Sequence, residues 1–265
     1  MRVGVIGKGL VGSAVYDGLG QINNAVSFYD PKYPESKFED ILDTECVFVC
    51  VPTNSLENGD CDTYIVDCVI DDLHSHKYSG VIIIKSTVIP GTTKRLQETY
   101  SNDKICFVPE FLRERSALAD FMEKHDVLIV GTDSDEIYDL VVKVHGNIPK
   151  NSRKLSPTEA ELSKYFSNVY NSLRITFANG FFDVCQKLNC DYQKILDAVS
   201  LREGITQHYL RASKYLRGYS GVCLPKDSQA FANLVDNLGL RLELFKAIIN
   251  DNNKYRKTVF KGMRK

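Results

Sequence analysis

Short apolar runs alternate with amphipathic stretches through the first half of the chain. Residues 3–6, 25–29, 46–51, 81–85, 104–108 and 127–131 are rich in Val, Ile and Phe, and turn residues bound several of them. This pattern predicts strands. Between them, helical spacing predicts helices near 10–19, 62–75, 91–99 and 134–144. Strand–helix alternation of this kind argues for a mostly parallel, doubly wound sheet with helices on both faces. Continuously apolar runs such as Val47-Phe48-Val49-Cys50-Val51 fit strands buried on both sides.

The pattern changes in the polar stretch 151–157, which ends in Ser156-Pro157-Thr158-Glu159. A serine cap followed by proline at the first helical position starts a helix. Apolar residues then recur at helical spacing to about Leu188, through Leu162, Tyr165, Phe166, Val169, Tyr170, Leu173, Phe177, Phe181 and Val184. That helix is long for a globular domain. Further helices are expected near 191–200, 225–238 and 241–260. The expected fold is therefore α/β: a Rossmann-type domain over residues 1–155, then an all-α domain over 156–265 built on a long central helix. No internal repeat or low-complexity linker interrupts it.

Gly7-Lys8-Gly9-Leu10-Val11-Gly12 follows a predicted strand and opens a predicted helix. In that setting the first glycine permits the turn, the second lets a pyrophosphate approach, and the third lets helix pack on strand. The phosphates would meet the helix N-terminus. Asp30 ends the second strand, eighteen residues past Gly12. An acidic side chain there binds ribose hydroxyls and repels a 2′-phosphate, which favours NAD over NADP, with Lys32 nearby weakening the discrimination. Three more loops sit at predicted strand C-terminal ends: Val51-Pro52-Thr53-Asn54, the segment from Lys85-Ser86-Thr87 to Pro90-Gly91-Thr92, and Val108-Pro109-Glu110-Phe111-Leu112-Arg113-Glu114. Such ends are where doubly wound sheets bind ligands, and the loops suggest a shared cleft.

Near the other end, Gly218-Tyr219-Ser220-Gly221-Val222-Cys223-Leu224-Pro225-Lys226-Asp227 delivers a cysteine just ahead of a proline. Pro225 is expected to open a helix, which puts Cys223 at its N-terminus. The dipole and unpaired N–H groups there favour thiolate over thiol. A small buried hydrophobe is the plainer reading of a lone cysteine.

Composition removes several function classes. The 265 residues suffice for two domains with real cores. A net charge of −1 gives no global field toward nucleic acid or an anionic membrane. Lys254, Arg256, Lys257, Lys261, Arg264 and Lys265 form a basic tail that reads as a solvated helix end, with a phosphate-binding patch as the alternative. No apolar run reaches bilayer length, and a strand starting at residue 2 leaves no room for a signal peptide. The eight cysteines show no CxxC pair and no zinc spacing, so no metal is expected. Thiols used as core filler fit a reducing, cytoplasmic setting.

The glycine fingerprint, Val51-Pro52-Thr53-Asn54, the Lys85–Thr92 segment, Pro109-Glu110-Phe111-Leu112-Arg113-Glu114, the helix from Thr158 through Lys164 to Asn168, and the Cys223 loop occur in one order. In that order and spacing the chain resembles the UDP-glucose/GDP-mannose dehydrogenase family, most of all its short bacterial UDP-glucose 6-dehydrogenase branch. The resemblance implies oxidation of a nucleotide-sugar primary alcohol to a carboxylate with two NAD⁺ in sequence. By this likeness Cys223 would form a thiohemiacetal and then a thioester. Lys164 and Asn168 would stabilise the oxyanions. Asp227 would order a water or assist proton transfer, and Thr87 would position a water or the sugar hydroxyl. Glu114 would serve thioester hydrolysis, with Glu110 in the same water network. Cofactor contacts are implied for Gly7, Gly9, Leu10, Val11, Gly12, Asp30, Lys32, Pro52, Thr53, Ser86 and Thr87. Phe111, Leu112, Tyr209, Tyr219 and Gly221 would line the sugar site. Relatives dimerise through the helical domain, and apolar residues on several sides of the long helix fit a homodimer.

Departures accompany the likeness. The family continues into a second nucleotide-binding α/β domain, which the resemblance implies is missing here. Ser220-Gly221 replaces paired glycines, the segment 210–217 is longer than its usual counterpart, and Gly180 stands where glutamate is common. Two rivals follow: a two-electron hydroxyacid dehydrogenase, which needs no cysteine, and an NAD-binding module that works only with a partner supplying the missing domain.

Overall fold

A computed structural model describes residues 1–22, 24–255 and 258; the side chain of Glu114 is also outside the described set. Apart from Lys254, the basic residues of the tail lie outside the described residues. The chain divides into two compact units, one of Met1–Leu56 with Cys61–Lys164, the other of Glu57–Asp60 with Tyr165–Lys265.

The first unit is built on seven strands: β1 (Arg2–Ile6), β2 (Ala25–Tyr29), β3 (Cys46–Val49), β4 (Val81–Ile84), β5 (Ile105–Phe107), β6 (Leu128–Gly131) and β7 (Ser152–Leu155). Their order is β2-β1-β3-β4-β5-β6-β7. Pairing is parallel throughout except between β5 and β6. This is the mostly parallel Rossmann-type sheet that the alternation predicts. Strand residues split by the pleat. Val3, Val5, Phe48, Ile83 and Cys106 face one core with α1 (Leu10–Gly20), α5 (Ala117–Glu123) and α6 (Asp135–His145). Ile6, Val47, Val49, Ile82, Ile84 and Phe107 face the other, with α2 (Glu39–Leu42), α3 (Tyr64–Ser75) and α4 (Thr92–Tyr100). Burial on both faces explains why these strands read as unbroken apolar runs.

Three elements depart from the sequence pattern. β7 lies in the stretch expected to be a polar boundary; it is an edge strand whose Arg153 and Lys154 are exposed, so no hydrophobic alternation marks it. The short helices α2 and α5 lie in stretches to which the sequence pattern assigns no element, each anchored by one or two apolar residues, Ile41 in one and Ala117 and Phe121 in the other.

The long helix α7 (Pro157–Lys187) begins at the predicted proline. Glu159 accepts the Ser156 backbone N–H at 2.8 Å and its hydroxyl at 2.6 Å, a carboxylate reaching back to the cap residue. α8 (Tyr192–Val199), α9 (Cys223–Asn237) and α10 (Leu244–Asn253) follow. Ala178, Phe182, Cys185, Tyr192 and Leu196 make one core of the second unit, while Val169, Tyr219 and Ile248 make another. α9 starts at Cys223, two residues before the expected Pro225. Proline is tolerated there because first-turn N–H groups have no intrahelical partner and no helical carbonyl lies four residues behind.

His145, at the end of α6, is fully buried between Phe48 and Phe121, and burial pushes its pKa down to about 3. Unfolding releases it to an ordinary value near 6.5. The unfolded chain therefore binds the extra proton between those limits, and stability is complete above pH 6.5 and falls as pH drops. Chemical denaturation should show about 1 kcal/mol lost from this residue between pH 6.5 and 5.5. The variant His145→Phe should flatten that slope.

Candidate active site

The strand β1 runs into a turn that only glycine fits. Gly7 has φ +89°, and a Cβ on it would meet the Cys50 carbonyl oxygen at 2.7 Å. A Cβ on Gly12 would lie 1.8 Å from the Gly7 carbonyl oxygen, so this glycine brings α1 against the turn. Gly9 is different: nothing lies within 4 Å of its Cβ position. It caps α1 without any side-chain hydrogen bond, and Leu10 and Val11 form the first helical turn. The backbone N–H groups of that turn are thus left for an anion. Lys8 turns its ammonium onto aromatic faces, 3.7 Å from the Phe28 centroid and 4.0 Å from that of Tyr16.

Asp30 follows β2. Its buried carboxylate accepts the backbone N–H groups of Lys8 at 2.7 Å and Lys32 at 2.9 Å, fixing both turns. The open space at Gly9, the bare helix end and the fixed carboxylate fit a dinucleotide. Pro52 and Thr53 follow β3. Ser86 follows β4 and donates to the Val51 carbonyl at 2.7 Å, which ties the two loops. The Thr87 carbonyl accepts from the Cys61 thiol at 3.3 Å.

Behind this edge lies a buried ion pair. Lys85 Nζ stands 2.8 Å from Glu110 Oε2, both side chains nearly inaccessible. Burial raises the Glu110 pKa, but the Lys85 ammonium beside it, with His125 and Lys164, pulls it below the ordinary carboxylate value. Glu110 Oε1 accepts the N–H groups of Phe111 at 2.8 Å and Leu112 at 3.1 Å. Those amides are therefore already engaged. Lys164 is buried, donates to the Glu110 backbone carbonyl, and sits 5.8 Å from the Phe111 ring centroid. Glu114 opens a 3-10 turn, Glu114–Ser116, but its side chain lies outside the described residues. Close by, hydrogen bonds from Arg113 hold the Asp120 carboxyl down at about 2.

Glu161 escapes sequence reading. Fully buried on α7, it accepts the Gly91 N–H at 2.5 Å, the Thr93 N–H at 2.8 Å and the Thr93 hydroxyl at 2.6 Å. It caps α4 from a distant part of the chain. Burial raises its pKa despite these bonds. Lys85 escapes as well, since a lysine after three isoleucines reads as the polar end of a strand. One signal was available: both residues lie inside the segments that carry the family resemblance.

In the second unit Cys223 is exposed and is the first residue of α9, whose cap residue Val222 gives no side-chain bond. One turn on, Asp227 is fully buried; its Oδ2 accepts from Asn168 at 2.6 Å and its Oδ1 lies 2.8 Å from Lys226 Nζ. Two predicted residues, Asn168 and Asp227, thus meet directly. Tyr219 is 3% exposed, exchanging backbone bonds with the Asn252 side chain at 2.7 and 3.1 Å. Gly221 takes φ +82°, and Tyr209 the left-handed φ +63° with its ring beside His208 and Arg174. Among the described residues no cluster of three or more His, Cys, Asp or Glu is arranged for a metal ion, and no helix is long and apolar enough to cross a membrane.

Residues 32–148 match the NAD binding domain of the UDP-glucose/GDP-mannose dehydrogenase family, and residues 158–254 match its central domain. The chain belongs to the UDP-glucose/GDP-mannose dehydrogenase family. Its nucleotide-binding half is a family NAD binding domain, and its cofactor is NAD. UDP-glucose 6-dehydrogenase of Rickettsia felis is 32% identical over 221 residues, covering 80% of this chain and 48% of the relative. The Bacillus subtilis enzyme TuaD is 27% identical over 258 residues, covering 88% and 55%. The chain spans about half the length of these curated relatives. A UDP-glucose dehydrogenase structure from Pyrobaculum islandicum superposes with TM-score 0.86 at 27% identity, covering 96% of this chain and 68% of that one. The 3-hydroxyisobutyrate dehydrogenase of Mycobacterium tuberculosis shares the fold at TM-score 0.77 and 14% identity, covering 96% of this chain and 92% of that one.

The glycines of this family member should separate by role. Gly12→Ala forces a Cβ onto the Gly7 carbonyl and should lower the thermal midpoint sharply. Gly9→Ala meets nothing in the chain and should melt normally, yet lose NAD affinity tenfold or more in calorimetric titration, about 1.4 kcal/mol.

Proposed function

We propose that this chain carries out NAD-dependent, four-electron oxidation of a nucleotide-sugar primary alcohol, of the UDP-glucose type, to the uronate. The observation that carries the reading is Cys223: an exposed sulfur at the first position of a fifteen-residue helix, one turn before a buried aspartate bonded to Asn168. A helix N-terminus favours the thiolate. When bound, NAD supplies the hydride acceptor for each oxidation.

The chain's residues then divide the work. Gly7, Gly9 and Gly12 shape the turn that receives the pyrophosphate, Asp30 takes the ribose hydroxyls, and the Ser86–Thr87 loop borders the reacting end. Thr87 positions the sugar hydroxyl or a water. Lys164 holds its ammonium toward the developing alkoxide, with Asn168 as second donor. The Cys223 thiolate adds to the C6 aldehyde carbon, giving a thiohemiacetal, and loss of the second hydride leaves a thioester. Water attacks the thioester carbon, the C–S bond breaks, and carboxylate and thiol are released. Glu110, kept ionised by Lys85, and Glu114 order that water and take its proton. Asp227 holds Asn168 in register.

The fold is also that of a 3-hydroxyisobutyrate dehydrogenase of nearly equal span, which keeps a two-electron hydroxyacid reaction as second reading. Stoichiometry separates them. Incubation with NAD⁺ and a panel of UDP- and GDP-sugars should yield two NADH per sugar oxidised; one NADH per substrate would favour the second reading. Cys223→Ser should reduce turnover to uronate by three orders of magnitude or more, about 4 kcal/mol of barrier.

We also propose a homodimer through the helical unit. Phe166, Tyr170, Phe177, Phe181 and Val184 recur along one side of α7, with Leu188 just past its end, and all are exposed, Phe166 to 74%. Burying one such phenylalanine contributes about 2 kcal/mol. In analytical ultracentrifugation the chain should sediment as a dimer and Phe166→Glu/Phe177→Glu as a monomer. A wild-type monomer at high concentration would refute the assignment.

A further inference from the structure

Four side chains from four elements act on one another in the core of the first unit: the Lys85 charge is felt by both histidines, and Glu110 feels His125. Lys85 follows β4, Glu110 follows β5, His125 follows α5, and His145 ends α6. The two imidazole centroids are 5.8 Å apart, edge to face, and the Phe121 ring touches both. Lys85 Nζ, Glu110 Oε2, His125 Nδ1 and His145 Nε2 are all buried atoms without an aligned hydrogen bond. The Lys85–Glu110 contact at 2.8 Å is an ion pair whose direction misses hydrogen-bond alignment, so the ammonium keeps donors to spare.

The proton on the His145 ring follows from its other contact. His145 Nδ1 lies 2.8 Å from the Val141 carbonyl, which only accepts, so Nδ1 carries the proton and Nε2 presents a lone pair. His125 Nδ1 is buried and unbonded, and burial disfavours the charged form of its ring, whose neutral form has one donor and one acceptor nitrogen. The site thus holds an imidazole acceptor at His145, an unbonded ring nitrogen at His125 and an ammonium with surplus donors. A water molecule has the complementary inventory: a hydrogen for His145, a lone pair for the ammonium, and a further hydrogen or lone pair for His125. Buried waters typically make about three such bonds to groups that otherwise have none.

We propose that one buried water bridges Lys85 Nζ, His125 Nδ1 and His145 Nε2, and that through Lys85 it holds Glu110 in its ionised, paired position. Both histidines are then positioning residues. Their effect on catalysis rests on the role proposed above for Glu110; the water site does not.

High-resolution crystallography of the wild-type chain reads the site directly. The expected result is one solvent peak within hydrogen-bond distance of all three nitrogens. No peak, or a direct bond from Lys85 to either ring, overturns the proposal. Selective nitrogen-15 labelling of histidine tests it in solution: both rings should be neutral around pH 7, with His145 protonated on Nδ1. An imidazolium on either ring, or the reverse tautomer of His145, would count against it. His125→Phe and His145→Phe each remove a partner of the water while preserving ring packing. Either should raise the acid limb of the kcat–pH profile by roughly half a unit or more, because a weaker Lys85 pair raises the Glu110 pKa. A lowered melting point with an unmoved limb would reduce the histidines to packing. If the wild-type chain holds the water but oxidises no nucleotide sugar, the proposed function fails alone. The Lys85–Glu110 separation in the His145→Phe crystal then decides the positioning role, and an unchanged pair overturns it.

Discussion

Three buried carboxylates hold the loops at the C-terminal edge of the sheet, and the rest of the nucleotide half depends on them. Asp30 accepts the N–H groups of Lys8 and Lys32, Glu110 those of Phe111 and Leu112, and Glu161 those of Gly91 and Thr93. A loop has no ladder or helix to satisfy its amides, and a buried amide without a partner is costly. Each carboxylate answers two amides at once, so each loop has one well-defined shape. A dinucleotide site needs that definition, because its turn meets the phosphates through backbone N–H groups, which cannot change rotamer to adjust.

The carboxylates must themselves be compensated, and the three cases differ. Asp30 and Glu161 rely on hydrogen bonds, and Thr93 adds its hydroxyl to the second. Glu110 has an ammonium. Removing one member of such a buried pair leaves an uncompensated charge and typically costs about 3–5 kcal/mol. The pair also passes geometry onward. Lys85 fixes Glu110, Glu110 folds its own loop around two amides, and the carbonyl of that residue receives Lys164. Lys164 is placed by a chain of contacts that begins at the end of β4.

How much of this was legible depended on whether the determining contact was local. Strands buried on both faces announced themselves as apolar runs, and the glycine turn did so because Gly12 packs against the Gly7 carbonyl within six residues. Asp30 was legible through spacing alone. β7 was not, because an edge strand with Arg153 and Lys154 outward carries no apolar alternation. Glu161 was not, because Thr158-Glu159-Ala160-Glu161 reads as an ordinary charged first turn and its partners lie about seventy residues away. Lys85 gave no local sign that it is buried. Cys223 was legible as a helix-terminal sulfur, but the start of α9 was misplaced by two residues because proline fits any position of a first turn.

The placement of Glu161 relative to Lys164 has a mechanical consequence. The two stand three residues apart on α7, hence on neighbouring positions of one helical face. A rotation or slide of this helix that would withdraw Lys164 from the Glu110 carbonyl must also pull Glu161 off the amides of Gly91 and Thr93. The second set of bonds caps α4, whose N-terminus is the far end of the loop bearing Thr87. The near end of that loop is tied at Ser86 to the neighbouring strand. The loop is thus pinned at both ends, and the lysine shares its helix with one of the pins. Precision in the spacing between Thr87 and Lys164 therefore comes from a residue that need touch neither substrate nor cofactor.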